Sequence, residues 1–423
     1  QALLTYQKKI KEHSFDVMLG YQQENQKDDW ISAYRDGFPT DLVHVIDGGS
    51  KDNWENGGNA EHWSIASFIG SLNYDYASKY LLTFKVRTDG SSRLASGKRW
   101  STFPSVAGAW RITGEDFMES TSSFLDDLKL RASWGITGAS SGVGLYPSYT
   151  TIGMGGVVLN NVYRQTAYLK SLGNTDLGWE KTNMVDVGLD MSLFNNRLGV
   201  TFDYYIKKTN DILIELPVPL EYGLGKPKVN VGTVRNNGWE LSLNWNDKIG
   251  GVTYHIQGNL SDNKNEVLDL GGTGPWVSGY TDVGLPMNSL YGYEALGFFQ
   301  SEEEIKESPF QNVKNKPGDI KYKDQNNDNV IDGEDRVVIG DSAPHYLYGL
   351  RLTAEWKGFD ISMFFQGVGK KDYLMSGPGV QPLTDSGKGA VFEHQLDYWT
   401  ENNRDAKYPR ILESNQATFN YEK

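Results

Sequence analysis

The sequence predicts an all-β chain and, within that class, a transmembrane antiparallel β-barrel. Three observations carry this reading. Apolar and polar residues alternate with period two along much of the 423-residue chain, which is the repeat of a strand with two unlike faces. Short turns and long connections follow one another in alternation. The apolar faces end in Tyr and Trp while the opposite faces carry charge, as lipid on one side and a wet lumen on the other would require.

Composition excludes several classes. Lys and Arg number 41 and Asp and Glu 54, so the formal net charge is 41 − 54 = −13. A nucleic-acid binder would need the opposite surplus to neutralise phosphates. No apolar run reaches the length of about eighteen residues that marks a transmembrane helix. With 24 Tyr, 17 Phe and 12 Trp the chain is too aromatic to be disordered. It has no cysteine, hence no disulfide framework, thiol nucleophile or cysteine metal site, in keeping with an envelope compartment. No signal peptide is visible and Gln1 is not an initiator Met, which suggests a processed or truncated N-terminus.

The alternation places about twelve strands, at 2–10, 14–26, 62–77, 80–90, 100–112, 127–137, 179–194, 197–214, 234–247, 252–266, 345–357 and 359–371. Most approach the length that crosses a bilayer when tilted. In the third, Phe68, Leu72, Tyr74 and Tyr76 share a face, and Leu82, Phe84 and Val86 do so in the fourth. In 179–194, Val185, Val187, Leu189, Met191 and Leu193 alternate with Asp186, Gly188, Asp190 and Ser192. The next strand sets Leu198, Val200, Phe202, Tyr204 and Ile206 against Gly199, Thr201, Asp203, Tyr205 and Lys207. Then Trp239, Leu241, Leu243 and Trp245 oppose Glu240, Ser242, Asn244 and Asn246, and Val252, Tyr254, Ile256 and Leu260 oppose Thr253, His255, Gln257 and Asn259. Tyr346, Tyr348, Leu350, Leu352, Ala354 and Trp356 form one of the last apolar faces, and Phe359, Ile361, Met363 and Phe365 the other.

Short turns fall at Lys11–His13, Ala77–Lys79, Asn195–Asn196, Lys248–Gly251 and Lys357–Gly358. Asn and Gly supply the positive φ of a tight hairpin. Long segments fall between them at 27–61, 91–99, 138–178, 215–233 and 267–344. Short periplasmic turns and long outer loops are the barrel arrangement. Gly114–Asp126 is the exception, on the short-turn side yet helix-like. Glu115–Leu125 and Gly389–Thr400 are the fair helix candidates. A soluble sandwich or propeller would also alternate. The aromatic stripe ends and the charges at Asp186, Asp190, Asp203, Glu240, Arg351 and Glu355 favour the membrane.

One segment has ligand spacing. Asp324–Asp335 reads DQNNDNVIDGED, placing Asp324, Asn326, Asp328, the Val330 carbonyl, Asp332 and Asp335 at positions one, three, five, seven, nine and twelve. This resembles an EF-hand or dockerin-like calcium loop, since Ca²⁺ takes several hard oxygens around a tight bend. Asn329 stands where such loops prefer Gly, and Asp335 where Glu usually reaches further. The expected role is structural; the alternative is an acidic turn without metal.

Gly138–Gly142, GASSG, formally fits a nucleophile elbow at Ser140, but the residues after it carry no helical pattern. His13, His44, His62, His255, His345 and His394 form no metal-spaced pair. No catalytic residue is nominated. Trp54, Trp63, Tyr146, Tyr149, Tyr163, Trp276, Tyr280 and Tyr291 make the long connections aromatic. Such rings either stack on substrate or pack against neighbouring loops.

Several stretches, taken in chain order, resemble the SusC/RagA-like TonB-dependent transporters of Gram-negative outer membranes. They are TDGSSRL at 88–94, RWSTFPS at 99–105, AWRI at 109–112 and LKLRASWGITG at 128–138. NTDLGWEKTNMVDVGLD comes next at 174–190 and YYIKKTNDIL at 204–213. The last are GDIKYKDQNNDNVIDGEDRVVIG at 318–340 and YWTENNRDAKYPRI at 398–411.

The resemblance covers the middle and C-terminal part of that family's barrel. It implies one partial barrel domain over 1–423, part of a closed cylinder of about 22 strands, with the plug, the first strands and the last strands outside this sequence. A smaller barrel closed by these strands alone is the alternative. The resemblance also implies a non-enzymatic importer of oligosaccharides or oligopeptides. Its implied partners are a SusD-like surface lipoprotein, the TonB complex acting through the plug, and membrane lipid with lipopolysaccharide. It further suggests a dimer of transporter–lipoprotein pairs. A soluble or surface glycan-binding β protein and a passive porin or adhesin barrel are the competing readings.

Overall fold

The computed structural model describes residues 1–216, 221, 223, 225–276, 279–375, 377, 379–380 and 391–411. The first strands are β1 (Ala2–Ile10), β2 (His13–Arg35), β3 (Trp54–Tyr76), β4 (Tyr80–Ser91), β5 (Trp100–Arg111) and β6 (Leu125–Ala139). β7 (Thr151–Leu159) and β8 (Val162–Ser171) pair with each other in a separate two-stranded sheet. β9 (Glu180–Leu193), β10 (Leu198–Glu215), β11 (Lys228–Ile249) and β12 (Val252–Asp269) come next. The long connection holds β13 (Leu290–Gly292), β14 (Ala295–Phe298), helix α1 (Glu302–Glu307), β15 (Ile320–Tyr322) and β16 (Val337–Gly340). β17 (His345–Trp356) and β18 (Phe359–Lys370) are the last.

Twelve of these make one sheet in the order β1-β2-β3-β4-β5-β6-β9-β10-β11-β12-β17-β18. These are the twelve strands the alternation predicts, each neighbouring the next sheet strand in sequence. Positive φ occurs where the tight turns were expected, at Lys11, Ala77, Ser78, Asn195, Asn196, Gly250, Lys357 and Gly358. At Lys357–Gly358 both turn residues have positive φ (47° and 86°), matching the turn twist to that of the flanking strands.

By contacts the chain forms two compact units. The first comprises Gln1–Asn259, Leu268–Thr273 and Leu350–Phe364; the second comprises Leu260–Val267, Gly274–Gly349 and Phe365–Lys423. In the first, register keeps like residues on one face. Tyr80, Trp110, Leu130, Leu189, Phe202 and Leu241 pair in a row across β4, β5, β6, β9, β10 and β11. The adjacent row, facing the other way, is Leu81, Ala109, Arg131, Gly188, Asp203 and Glu240. A one-residue slip would exchange the two faces. The first row's neighbours Leu82, Phe84, Val185, Val187 and Tyr204 stand exposed, as side chains turned to lipid do. A dry cluster of Leu94, Phe103, Val143, Leu177 and Trp179, flanked by Ile136 and Leu213, lies beside the non-tight connections. The second unit has its own cluster, Tyr293, Ile320, Tyr322 and Ile331 with Phe298 against it.

The structure corrects several expected connections. β2 and β3 pair without interruption from His13↔Tyr76 to Arg35↔Trp54, so the connection expected at 27–61 shrinks to 36–53. Backbone ladder bonds sustain a ribbon that is polar on both faces, where alternation gives no signal. The segment 138–178 contains the β7–β8 hairpin, turned at Asn160–Asn161 with both φ positive. Of 215–233, the last residues already belong to β11.

Neither helix candidate is an α-helix in the described residues. Asp116–Thr121 and Glu393–Leu396 are 3-10 turns, and Gly389 lies outside the described residues. Asp116–Thr121 starts without a side-chain N-cap hydrogen bond. The α-helix that does form, α1, starts where Ser301 accepts from the Glu304 N–H at 3.2 Å. That cap was legible as S-x-x-E.

Candidate functional site

The polar face of the first unit carries a charged wall on β6, β9 and β10. Alternation in β6 puts Lys129 and Arg131 on the side that β9 and β10 give to Asp190 and Asp203. Arg131 donates to Asp190 through Nε (2.8 Å to Oδ2) and Nη2 (3.0 Å to Oδ1). The same Nη2 donates to Asp203 Oδ1 at 2.8 Å. Lys129 Nζ lies 2.8 Å from Asp190 Oδ2. The planar guanidinium suits this fork, a bidentate pair plus a third contact. Asp203 is two strands from Arg131, and the residue between them is Gly188. A Cβ at Gly188 would collide with Asp203 Oδ1 and the guanidinium.

Asp186, Asp190, Asp203 and Glu240, read from sequence as lumen residues, share this face through the pairs Ser133↔Asp186, Lys129↔Asp190 and Asp203↔Glu240. The same alternation marks Lys129 and Arg131 for this face. Arg351 sits with its guanidinium 5.7 Å from the Phe364 ring centroid. The arrangement holds no nucleophile and base together. It is a polar wall on which two cations, Lys129 and Arg131, face four carboxylates, Asp186, Asp190, Asp203 and Glu240.

At the turn end, Glu115 gathers the rim. Tyr80 donates to its Oε1 at 2.6 Å, Trp110 Nε1 to the same oxygen at 3.1 Å, and Lys79 Nζ to Oε2 at 3.4 Å. The hydrogen bonds from Tyr80 and then Trp110 hold the Glu115 carboxyl below its ordinary pKa. Two girdle aromatics are thereby pinned at their polar tips, as rings at a membrane interface are.

The acidic loop uses its oxygens on itself. Asp324 accepts from Asn327 N–H (2.6 Å) and Asn329 N–H (2.8 Å), and Asp328 from Val330 N–H (2.8 Å) and the Asn326 amide (3.0 Å). Asn326 accepts from Asp328 N–H, and Asp332 from Glu334 N–H. Asp335 is fully buried and accepts from Gln325 and Asp332 N–H, each at 2.8 Å. Asn329 has φ 64°, the left-handed geometry that Asn tolerates. Among the described residues no three His, Asp or Glu side chains converge to hold a metal ion. The six positions with calcium spacing form a loop closed by Asx turns.

Ser140 is buried and donates to Ser91 Oγ at 3.3 Å; a 3-10 turn, not an α-helix, comes after it. Trp63 lies under the Arg93 guanidinium (4.8 Å). Tyr280 and Tyr291 stack on each other at 3.7 Å. Tyr146 donates to the His62 carbonyl. Trp54, Tyr149 and Tyr163 are exposed. The GDIKYKD and YWTENNR stretches meet in the second unit. The buried Asp319 takes two bonds from Arg410 (2.5 and 3.1 Å), and Arg410 N–H donates to the Gly318 carbonyl.

Comparison with known proteins agrees with this geometry. Residues 3–400 match the family described as TonB dependent receptor-like, beta-barrel. TonB-dependent receptor P26 of Formosa agariphila is 35% identical over 361 residues, covering 82% of this chain and 36% of that protein. TonB-dependent receptor SusC of Bacteroides thetaiotaomicron is 30% identical over 386 residues, covering 84% of this chain and 36% of that protein. The solved RagAB peptide importer in its open-open state superposes with a TM-score of 0.82 at 25% identity, over 100% of this chain and 46% of that one. The chain thus spans little more than a third of these two curated relatives. A two-faced antiparallel sheet, a charged wall between its strands and a family match over nearly the whole length agree: the chain belongs to the TonB-dependent receptor-like β-barrel family of the bacterial outer membrane.

Proposed function

We propose that this chain is barrel wall of a SusC-like importer that takes up oligosaccharides or oligopeptides across the outer membrane. The observation that carries the reading is the pair of adjacent rows across β4 to β11, one apolar and aromatic, the other bearing the Arg131 network. Such a wall separates lipid from a polar passage and leaves the cargo chemically unchanged. RagAB is described as a peptide importer, and SusC is a TonB-dependent receptor. By analogy with them, a SusD-like lipoprotein would cap the outer mouth and capture cargo. TonB would deliver energy through a plug, and transporter–lipoprotein pairs would dimerise.

The experiment uses native protein from isolated outer membranes, extracted in mild detergent. It is run unboiled and boiled on a denaturing gel, and every co-migrating chain is sequenced. A heat-modifiable band with plug peptides and a lipoprotein is expected, and deleting TonB should abolish uptake. A band soluble without detergent, unaltered by heat and partnerless would overturn the proposal. Uptake that survives loss of TonB would point instead to a passive pore.

A further inference from the structure

One imidazole knots the root of the long connection in the second unit. His345 opens β17, just before Tyr346–Trp356, whose length already matches the roughly 9–11 residues of a tilted spanning strand. It therefore lies outside the span, on the side of the long connections. Its Nδ1 is 2.7 Å from Asp262 Oδ1 on β12, and its Nε2 is 3.2 Å from Asp341 Oδ2 in the link between β16 and β17. An ionised carboxylate only accepts hydrogen bonds, and a neutral imidazole donates from one nitrogen alone. Neutral His345 would set a nitrogen lone pair against a carboxylate oxygen. Only the imidazolium satisfies both contacts.

The knot extends further. Asp341 N–H donates to Asp372 Oδ2 at 2.8 Å, and Asp372 N–H returns a bond to the Asp341 carbonyl at 3.0 Å. Asp341 Oδ1 accepts from Ala343 N–H, and Ser342 donates to the Asn288 carbonyl within the long connection. Two carboxylates thus flank one imidazole, and a third, Asp372, holds the Asp341 backbone. The other charged groups on these segments are Lys264, Glu266 and Asp269 on β12 and Lys370 and Lys371 just before Asp372. Among the described residues, none of these lysines pairs with any of the three carboxylates. Asp262 first and Asp341 second hold the imidazole pKa above its ordinary value of about 6.5, with burial opposing them.

We propose that His345 is a proton-operated latch which, when charged, fastens the link at 341–344 to β12, and when neutral lets it go from that strand. The sign comes from linkage. A pKa raised in the folded state adds stability that is complete below the ordinary value and is lost as pH rises through the raised one. The latched link is the exit of the connection that carries the Asx-turn loop, so its release frees that connection at one end. The latch does not depend on what is transported.

The test is a distance measurement in the full-length transporter in liposomes. Native cysteines elsewhere are replaced, and spin labels are placed at Ala343→Cys in the link and at the exposed Lys264→Cys on β12. This chain itself has no cysteine to interfere. A narrow distance is expected at pH 6. With rising pH a broad population should replace it, the ratio changing about tenfold per pH unit as for one proton. Asp341→Asn should move the midpoint to lower pH, His345→Lys should keep the narrow distance to pH 9, and His345→Gln should give a pH-independent distribution. His255→Gln serves as control and should titrate like the parent. A parent distribution unchanged from pH 5 to 10, or a transition that persists in His345→Gln, would overturn the latch. Uptake is not read, so failure here leaves the importer reading untouched.

Discussion

Arg131 reaches Asp203 across an intervening strand, at 2.8 Å, because the residue between them has no side chain. That relationship couples β6 to β10 through space while both pair with β9. Asp203→Ala or Gly188→Val should each lower the folded barrel's stability in lipid. The loss should be about 1 kcal/mol rather than several, since all three charged partners keep contact with water. The midpoint of heat-modifiability on unboiled gels reads it. An additive double variant would show that the two residues do not act through one contact.

Facing can be tested by charge. Leu243 pairs with Val200 on the apolar face, and Asn244 pairs with Gly199 on the polar one. Leu243→Arg should cost roughly 2–4 kcal/mol if the side chain sits near the lipid midplane, and Asn244→Arg should cost little. Yield of folded, heat-modifiable protein in the outer membrane measures both. Equal yields would refute the assigned faces.

The rim cluster should respond to acid. Glu115 has its pKa lowered by Tyr80 and Trp110, so its contribution is present above the ordinary carboxylate value and disappears as pH falls through the lowered one. Stability of the parent should therefore drop below about pH 4.5 more steeply than that of Glu115→Gln, which lacks the titrating group. Unfolding followed by Trp fluorescence between pH 3 and 7 gives the comparison. Parallel curves would mean that the rim bonds do not matter.

The acidic loop makes a separate prediction. Since Asp324 and Asp328 bond the loop's own N–H groups, the parent loop should resist protease in the presence of chelator. Asp324→Ala with Asp328→Ala should be cut there whether or not Ca²⁺ is added. A gain in resistance on adding Ca²⁺ to the parent, absent from the variant, would instead establish a bound cation.

Much of this was legible in the residues. The twelve sheet strands, their tight turns and the two faces follow from alternation and from Asn and Gly at turn positions. The ribbon of β2 beyond Gln26 and of β3 before His62 was not legible, because stretches such as Lys27 to Asp29 and Glu55 to Asn59 are polar on both faces and carry no period. The calcium spacing was legible, but whether its oxygens face a cation or the loop's own N–H groups depends on backbone conformation.

The sequence by itself determined the alternating strands, the side their residues take and the family, because side-chain alternation is a local property of extended backbone. Only the tertiary structure decided which charges meet. Arg131 and Asp203 are 72 positions apart, His345 and Asp262 83, and Arg410 and Asp319 91. Such pairs depend on which strands become neighbours and in what register, and those are properties of the assembled sheet and its packed loops rather than of any one segment.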